Sequence, residues 1–194
     1  MAKKETPFEK IVRLVKSQDT IRNIATSAHI HHGKTALTDN LLAAAGMMNE
    51  KLAGDLEGGM ATWGHADEQE RLLTVDAANV SMAHELEGKE YLINLIDTPG
   101  HVDFSYEVSR ALAACDGALL VVDASQGIEA QTIANTLLAM DYDLDLIPVL
   151  NKVDLPQAEP ERVAGEIQQV FGFKPEEILF VSAKEGTGTK EVLD

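Results

Sequence analysis

Three histidines, a glycine, a lysine and a threonine crowd into "AHIHHGKT", residues 28–35. The stretch runs from the strand-like "IRNIATSA" into the helix-like "KTALTDNLLAAA". Two chemistries compete for it. A metal site would need His29, His31 and His32 to converge on one ion. Alternate residues of an extended segment share a face, so His29 and His31 could pair, while His32 could not easily join them. The loop holds no Cys, Asp or Glu, and His65 and His84 are scattered along the chain. A phosphate loop needs a strand, a turn of backbone N–H groups, a lysine, a hydroxyl for magnesium and a helix N-terminus. Its usual form is G-x-x-x-x-G-K-[ST]; here Ala28 takes the first glycine position, followed by Gly33, Lys34 and Thr35.

Four further stretches follow in the order this second reading requires. "DTPGH", Asp97–His101, comes after "YLINLI"; the Asp97 carboxylate can hold Mg²⁺ through a water, and the Gly100 N–H can meet a γ-phosphate. "NKVD", Asn151–Asp154, comes after "LIPVL", and Asp154 can accept from the N1–H and amine of guanine, a donor pair that adenine lacks. Such a site rejects the wrong base by roughly 10⁴ or more, because its carboxylate would be left unpaired. "SAK", Ser182–Lys184, follows the last strand and offers the Ala183 N–H to a guanine carbonyl. Thr74, at the end of a long glycine-bearing loop, is placed to close over Mg²⁺ and the γ-phosphate. Taken together, these stretches select the phosphate loop over the metal cluster. The nucleotide-binding set is then His29, Ile30, His31, His32, Gly33, Lys34, Thr35, Ala36, Asp97, Gly100, Asn151, Lys152, Asp154, Ser182, Ala183 and Lys184. Thr35, Thr74 and, through water, Asp97 form the metal set.

The elements that must position these loops are legible as alternating strands and helices. Helices are expected over "PFEKIVRLVKS", "KTALTDNLLAAA", "DFSYEVSRALAACD", "EAQTIANTLLAMD" and "PERVAGEIQQVFG", and "TKEVLD" begins another. "TVDAANVSMAHEL" and "KEYLINLID" flank the turn "EGK" as a hairpin; "GALLVVDA", "LDLIPVLNK" and "EILFVSA" supply the remaining strands. Apolar runs this continuous belong to a mostly parallel sheet covered on both faces. The expected fold is a three-layer α/β phosphate-loop NTPase with a six-stranded sheet, one strand antiparallel. Ligands then sit at the C-terminal edge of the strands. Residues 1–20 form an amphipathic helix packing on a domain of residues 21–194.

Composition bounds the rest. The chain has 194 residues and a formal net charge of −16. That charge argues against a free-standing DNA or RNA clamp, since phosphate backbones demand clustered Lys and Arg. No segment approaches the ~20 apolar residues of a membrane span, and "MAKKETPFEK" lacks the apolar core of a signal peptide. A cytoplasmic monomer is expected. The single cysteine, Cys115, sits in the apolar "RALAACDGALLVV" and reads as a buried, inert thiol.

With these motifs in place the sequence resembles the GTP-binding domain of the translational GTPases. "SAHIHHGKTALTDNLLAAAGMM", "DEQER" and "DAANVSM" resemble archaeal elongation factor 2. "INLIDTPGHVDFSYEVSRALAACDGALLVVDAS", "IPVLNKVDLP" and "VSAKEGTG" resemble the bacterial factor LepA, also called elongation factor 4. The mixed parentage suggests a chimeric, ancestral or designed sequence. The resemblance implies GTP and GDP as substrate and product, with Mg²⁺ as cofactor. It implies a ribosome as partner, whose large-subunit rRNA presses His101 onto the attacking water. Lys34, Thr74 and His101 are the implied catalytic residues. It implies no membrane or DNA partner, and it places the β-barrel and later domains of the family beyond residue 194. Three departures stand out. Ala28 replaces a glycine, as in elongation factor 2. His31 replaces an Asp that in the family helps hold a monovalent cation near the phosphates. "ERLLTV" carries Leu72 and Leu73 where the family has Arg-Gly-Ile, which stiffens the hinge before Thr74. Trp63, in the same loop, is expected to report switch movement.

Overall fold

The computed structural model describes residues 5–49, 53, 77–99 and 105–194. Helix α1 (Pro7–Leu14) is the first element of the described residues. Its start is fixed by a reciprocal cap: the Glu9 N–H donates to Thr6 Oγ1 at 3.3 Å and the Thr6 N–H to Glu9 Oε2 at 2.8 Å, with Pro7 in the first turn. A 3₁₀ turn at Gln18–Thr20 leads into β1 (Ile21–Ala28), followed by α2 (Lys34–Ala44). The hairpin is β2 (Ala78–Leu86) and β3 (Lys89–Asp97). Its two-residue turn places Glu87 at φ 51° and Gly88 at φ 80°. Two consecutive left-handed residues make the turn whose twist matches paired antiparallel strands.

The remaining units are α3 (Ser105–Leu112), β4 (Gly117–Asp123), α4 (Ala130–Asp141) and β5 (Asp145–Asn151). They are followed by α5 (Pro160–Phe171), β6 (Leu179–Phe180) and α6 (Thr189–Leu193). Among the described residues six strands lie in the order β2-β3-β1-β4-β5-β6, all pairings parallel except β2 with β3. The mixed sheet expected from the sequence is therefore present.

Every residue of β4 is buried, and successive side chains serve opposite layers. Leu119 and Val121 join Leu37 and Leu41 of α2 on one face. Leu120 and Val122 meet Val163 and Ile167 of α5 on the other, and Ala118 meets Val108, Leu112 and Ala139. Each enclosed leucine contributes about 2 kcal/mol by leaving water. This two-sided burial explains why the strand reads as an unbroken apolar run and holds the strand ends in one row.

One expected element is shorter than its sequence. "EILFVSA" reads as a full strand, yet only Leu179 and Phe180 join the ladder. Val181 still donates to Leu150 O at 2.9 Å, but its own carbonyl accepts from Val153, and the Ser182 N–H turns to Thr187 O at 3.0 Å. The backbone that would extend the strand instead builds the "SAKEG" loop.

Candidate nucleotide-binding site

The loop after β1 is wound by two left-handed residues, His31 at φ 63° and Gly33 at φ 89°. His and Asp are among the few side-chain-bearing residues enriched in that region, so the backbone can accept either at position 31. The His32 N–H bonds back to His29 O at 3.3 Å, closing the turn. Gly33 caps α2, and its carbonyl accepts from Leu37 at 2.9 Å. A side chain at Gly33 would collide with the Asn151 amide, so glycine is required for space as well as for φ.

The histidines do not converge. His31 is exposed, His32 is wholly buried, and the His29 and His32 rings meet edge to face at 5.4 Å. Among the described residues no group of three His, Cys, Asp or Glu could hold a metal ion. Burial pulls the His32 imidazole down to about 4, against some support from Asp123, so it is neutral at pH 7.

Lys34 begins α2 with its side chain enclosed, 6% exposed. Burial lowers its pKa, and the nearby Asp97 carboxylate opposes the shift. Thr35 Oγ1 donates to Asp97 Oδ2 at 2.8 Å, while Thr26 Oγ1 donates to Asp97 Oδ1 at 2.8 Å. Thr98 ties the same corner through its hydroxyl to Thr26 O at 2.5 Å. The end of β1, the start of α2 and the end of β3 thus place a hydroxyl and a carboxylate side by side. Such hard oxygen donors suit Mg²⁺.

The second half of the site lies across the sheet. Asn151 Nδ2 donates to His32 O at 2.9 Å, and Asn151 Oδ1 accepts from the Ala183 N–H at 2.9 Å. Ser182 Oγ donates to Asp154 Oδ1 at 2.7 Å, orienting that carboxylate. The Ala183 N–H expected to meet a guanine carbonyl is thus engaged by Asn151, and reaching a base would require shared bonding. Lys152 sits at φ 64°, with its ammonium 2.6 Å from Asp123 Oδ2. Lys184 is exposed at the rim, and Ile30 and Ala36 are half-buried. Thr74, Gly100 and His101 lie outside the described residues, as do Trp63, Leu72 and Leu73.

Two participants escaped the sequence reading. Asp123 ends β4 fully buried, and its only sequence signal was a carboxylate closing an otherwise apolar strand. Asn40, on α2, donates to both Ala36 O and Ala183 O, joining the phosphate-loop helix to the "SAK" loop. No spacing rule pointed to it.

Residues 19–194 match the family described as the elongation factor Tu GTP binding domain, and the chain belongs to that family of translational GTPases. It is 52% identical over 180 residues to a mitochondrial translation factor GUF1 homolog of Trichoplax adhaerens, covering 90% of this chain and 26% of that protein. It is 50% identical over 177 residues to elongation factor 4 of Campylobacter fetus, covering 91% and 29% respectively. Among solved structures, a Thermus thermophilus protein superposes with a TM-score of 0.70 at 27% identity, over 79% of this chain and 22% of its own. A bacterial selenocysteine-specific elongation factor does so with 0.66 at 26% identity, over 89% and 27%. The chain spans under a third of the length of these relatives. No helix among the described residues is long and apolar enough to cross a membrane.

Proposed function

We propose that the site binds GTP and GDP with Mg²⁺ and hydrolyses GTP slowly in this domain alone. The observation that carries the reading is the enclosed Lys34 ammonium at the start of α2, next to the Thr35–Asp97 pair. A buried cation at a helix N-terminus calls for an anion, and a phosphate chain with its metal supplies one. His29, Ile30, His31, His32, Gly33 and Ala36 provide the loop around the phosphates; Lys34 neutralises them. Thr35 would hold Mg²⁺ directly and Asp97 through a water. Bound Mg²⁺ would offset charge on the β- and γ-phosphates. Asp154, set by Ser182, selects guanine, with Asn151, Lys152, Ala183 and Lys184 around the base.

Thr74, Gly100 and His101 complete the proposal as γ-phosphate sensor, N–H donor to the γ-phosphate and water-orienting group. Catalysis here is positioning and charge neutralisation more than covalent chemistry. A ribosome is the proposed partner of a full-length protein, in the cytoplasm, and the domain alone is a monomer. A monovalent cation beside His31 is the finer part of the reading; potassium dependence of hydrolysis tests it. We also infer mixed ancestry, with an elongation factor 2 type of sequence up to about residue 95. Separate alignment of the two parts with each family tests that.

Calorimetry with GDP, GTP and ATP, with and without Mg²⁺, tests the core claim; a folded chain indifferent to guanosine phosphates would refute it. Asp154→Asn should move preference towards xanthine nucleotides. A second reading, a nucleotide switch with negligible turnover, is favoured by Leu72–Leu73 before Thr74. Single-turnover hydrolysis beside His101→Ala separates the two, since a pure binder shows no difference.

A further inference from the structure

Lys152 carries two features that the guanine-binding reading does not by itself explain. Its backbone occupies the left-handed region at φ 64°, which costs a lysine on the order of 1 kcal/mol. Its ammonium lies 2.6 Å from Asp123 Oδ2; the lysine side chain is partly exposed, while the Asp123 side chain is wholly enclosed. Strain of this kind persists only where the surroundings over-determine it.

Asp123 is built to receive that ammonium. It is the last residue of β4, directly paired in the sheet with Asn151, the residue before Lys152. Oδ1 accepts from the Ser125 N–H at 2.7 Å and the Ser125 hydroxyl at 2.6 Å; Oδ2 accepts from Gln126 Nε2 at 3.2 Å as well as from Lys152. Burial pushes the Asp123 pKa up, and the bonds from Lys152 and Ser125 outweigh it, leaving the carboxyl below its ordinary value. With its head tied down, the lysine stem runs past the phosphate loop: Lys152 Cε lies 3.9 Å from where a Cβ on Gly33 would stand. A tethered four-carbon stem is a fixed apolar strip, whereas an untethered one would wave in water.

We propose that Asp123 is a positioning residue for guanine-nucleotide binding, holding Lys152 taut so that its stem forms a preset apolar wall between the phosphate loop and the base. The proposal rests on the guanine-nucleotide reading of this site. The rival role for Asp123 is structural: it closes the turn at Ser125 and does nothing for ligand.

Asp123→Asn separates these roles: with its amide oxygen still accepting from Ser125, it turns an uncharged NH2 towards Lys152 and so loses the ion pair. GDP affinity and release rate are measured for the parent, Asp123→Asn, Lys152→Met and the double variant, with thermal melting of each. The expected result is roughly tenfold weaker GDP binding through faster release in either single variant, with the double variant no weaker than Lys152→Met. Native GDP affinity in a folded Asp123→Asn protein, or losses that simply add in the double variant, would overturn the proposal. Should Asp123→Asn not fold, Lys152→Gln breaks the same pair from the exposed side while keeping much of the stem; native GDP affinity there would overturn it equally. If the parent itself ignores GDP, the broader reading fails instead, so the two failures are distinguishable.

Discussion

The Asn151 side-chain amide donates to the His32 carbonyl at 2.9 Å, joining residues 119 positions apart. The other end of the same amide accepts from Ala183. One side chain therefore fastens the loop proposed to face phosphates to both loops proposed to face the base. In the proposed site, the spacing between the two ends of a nucleotide would be set before it arrives, which reduces the ordering cost of binding.

Gly33→Ala tests that fastening. A methyl there meets the Asn151 amide and must also adopt φ near 89°. We expect a loss of about 1–3 kcal/mol in stability together with weakened GDP binding. Chemical denaturation and nucleotide titration of the variant check both. Native GDP affinity would mean that the Asn151 contact is not needed to shape the site.

Lys34→Met should have opposite effects with and without ligand. Removing a desolvated ammonium relieves the nucleotide-free protein, whose melting temperature should rise by a few degrees. GDP affinity should fall by roughly 100-fold, equivalent to about 2.7 kcal/mol. Melting curves with and without GDP give the answer; a lower melting point without ligand would contradict the burial argument.

Acid should weaken the nucleotide-free fold through His32. Its folded pKa of about 4 lies below the ordinary 6.5, so the unfolded chain takes up the proton first. Stability from this group is complete above about pH 6.5 and is lost as pH falls towards 4, by up to roughly 3 kcal/mol. Urea midpoints at pH 7 and pH 5 should differ less in His32→Gln than in the parent. Equal slopes would remove His32 as the cause.

Cys115 should be inert in the folded protein. Burial, with Asp116 beside it, pushes the thiol up to about 11. Iodoacetamide at pH 8 should label it about 100-fold more slowly in the folded protein than in urea. Comparable rates would show that the thiol is open.

Much of this was visible in residue order. The apolar runs of β4 and β5, the Glu-Gly turn and the Gly-Lys-Thr at the start of α2 are local signals, and local signals survive in a sequence. The motif order also predicted which loops would share one sheet edge, and Asn151, Asp154 and Ser182 are found there together. What the sequence concealed is long-range pairing: Asp123 with Lys152, Asn40 with Ala183, Thr26 with Asp97. No periodicity encodes such partners, since they depend on how neighbouring strands register. The shortened β6 was hidden for a related reason. Its residues are apolar enough to extend the sheet, but their backbone groups are drawn into the following loop.

The attachment of α1 carries a consequence for behaviour in brine. Glu90, on β3, accepts Lys10 at 2.9 Å and Arg13 at 2.7 Å, and Leu14 is the helix's only buried side chain. Such partly exposed ion pairs fade as the Debye length shrinks from about 10 Å at 0.1 M salt to about 3 Å at 1 M. Amide hydrogen exchange across residues 7–14 should therefore quicken with sodium chloride while α2, clasped against the sheet, keeps its protection. The first helix would peel away like a latch that opens on ionic strength, leaving the rest of the domain shut.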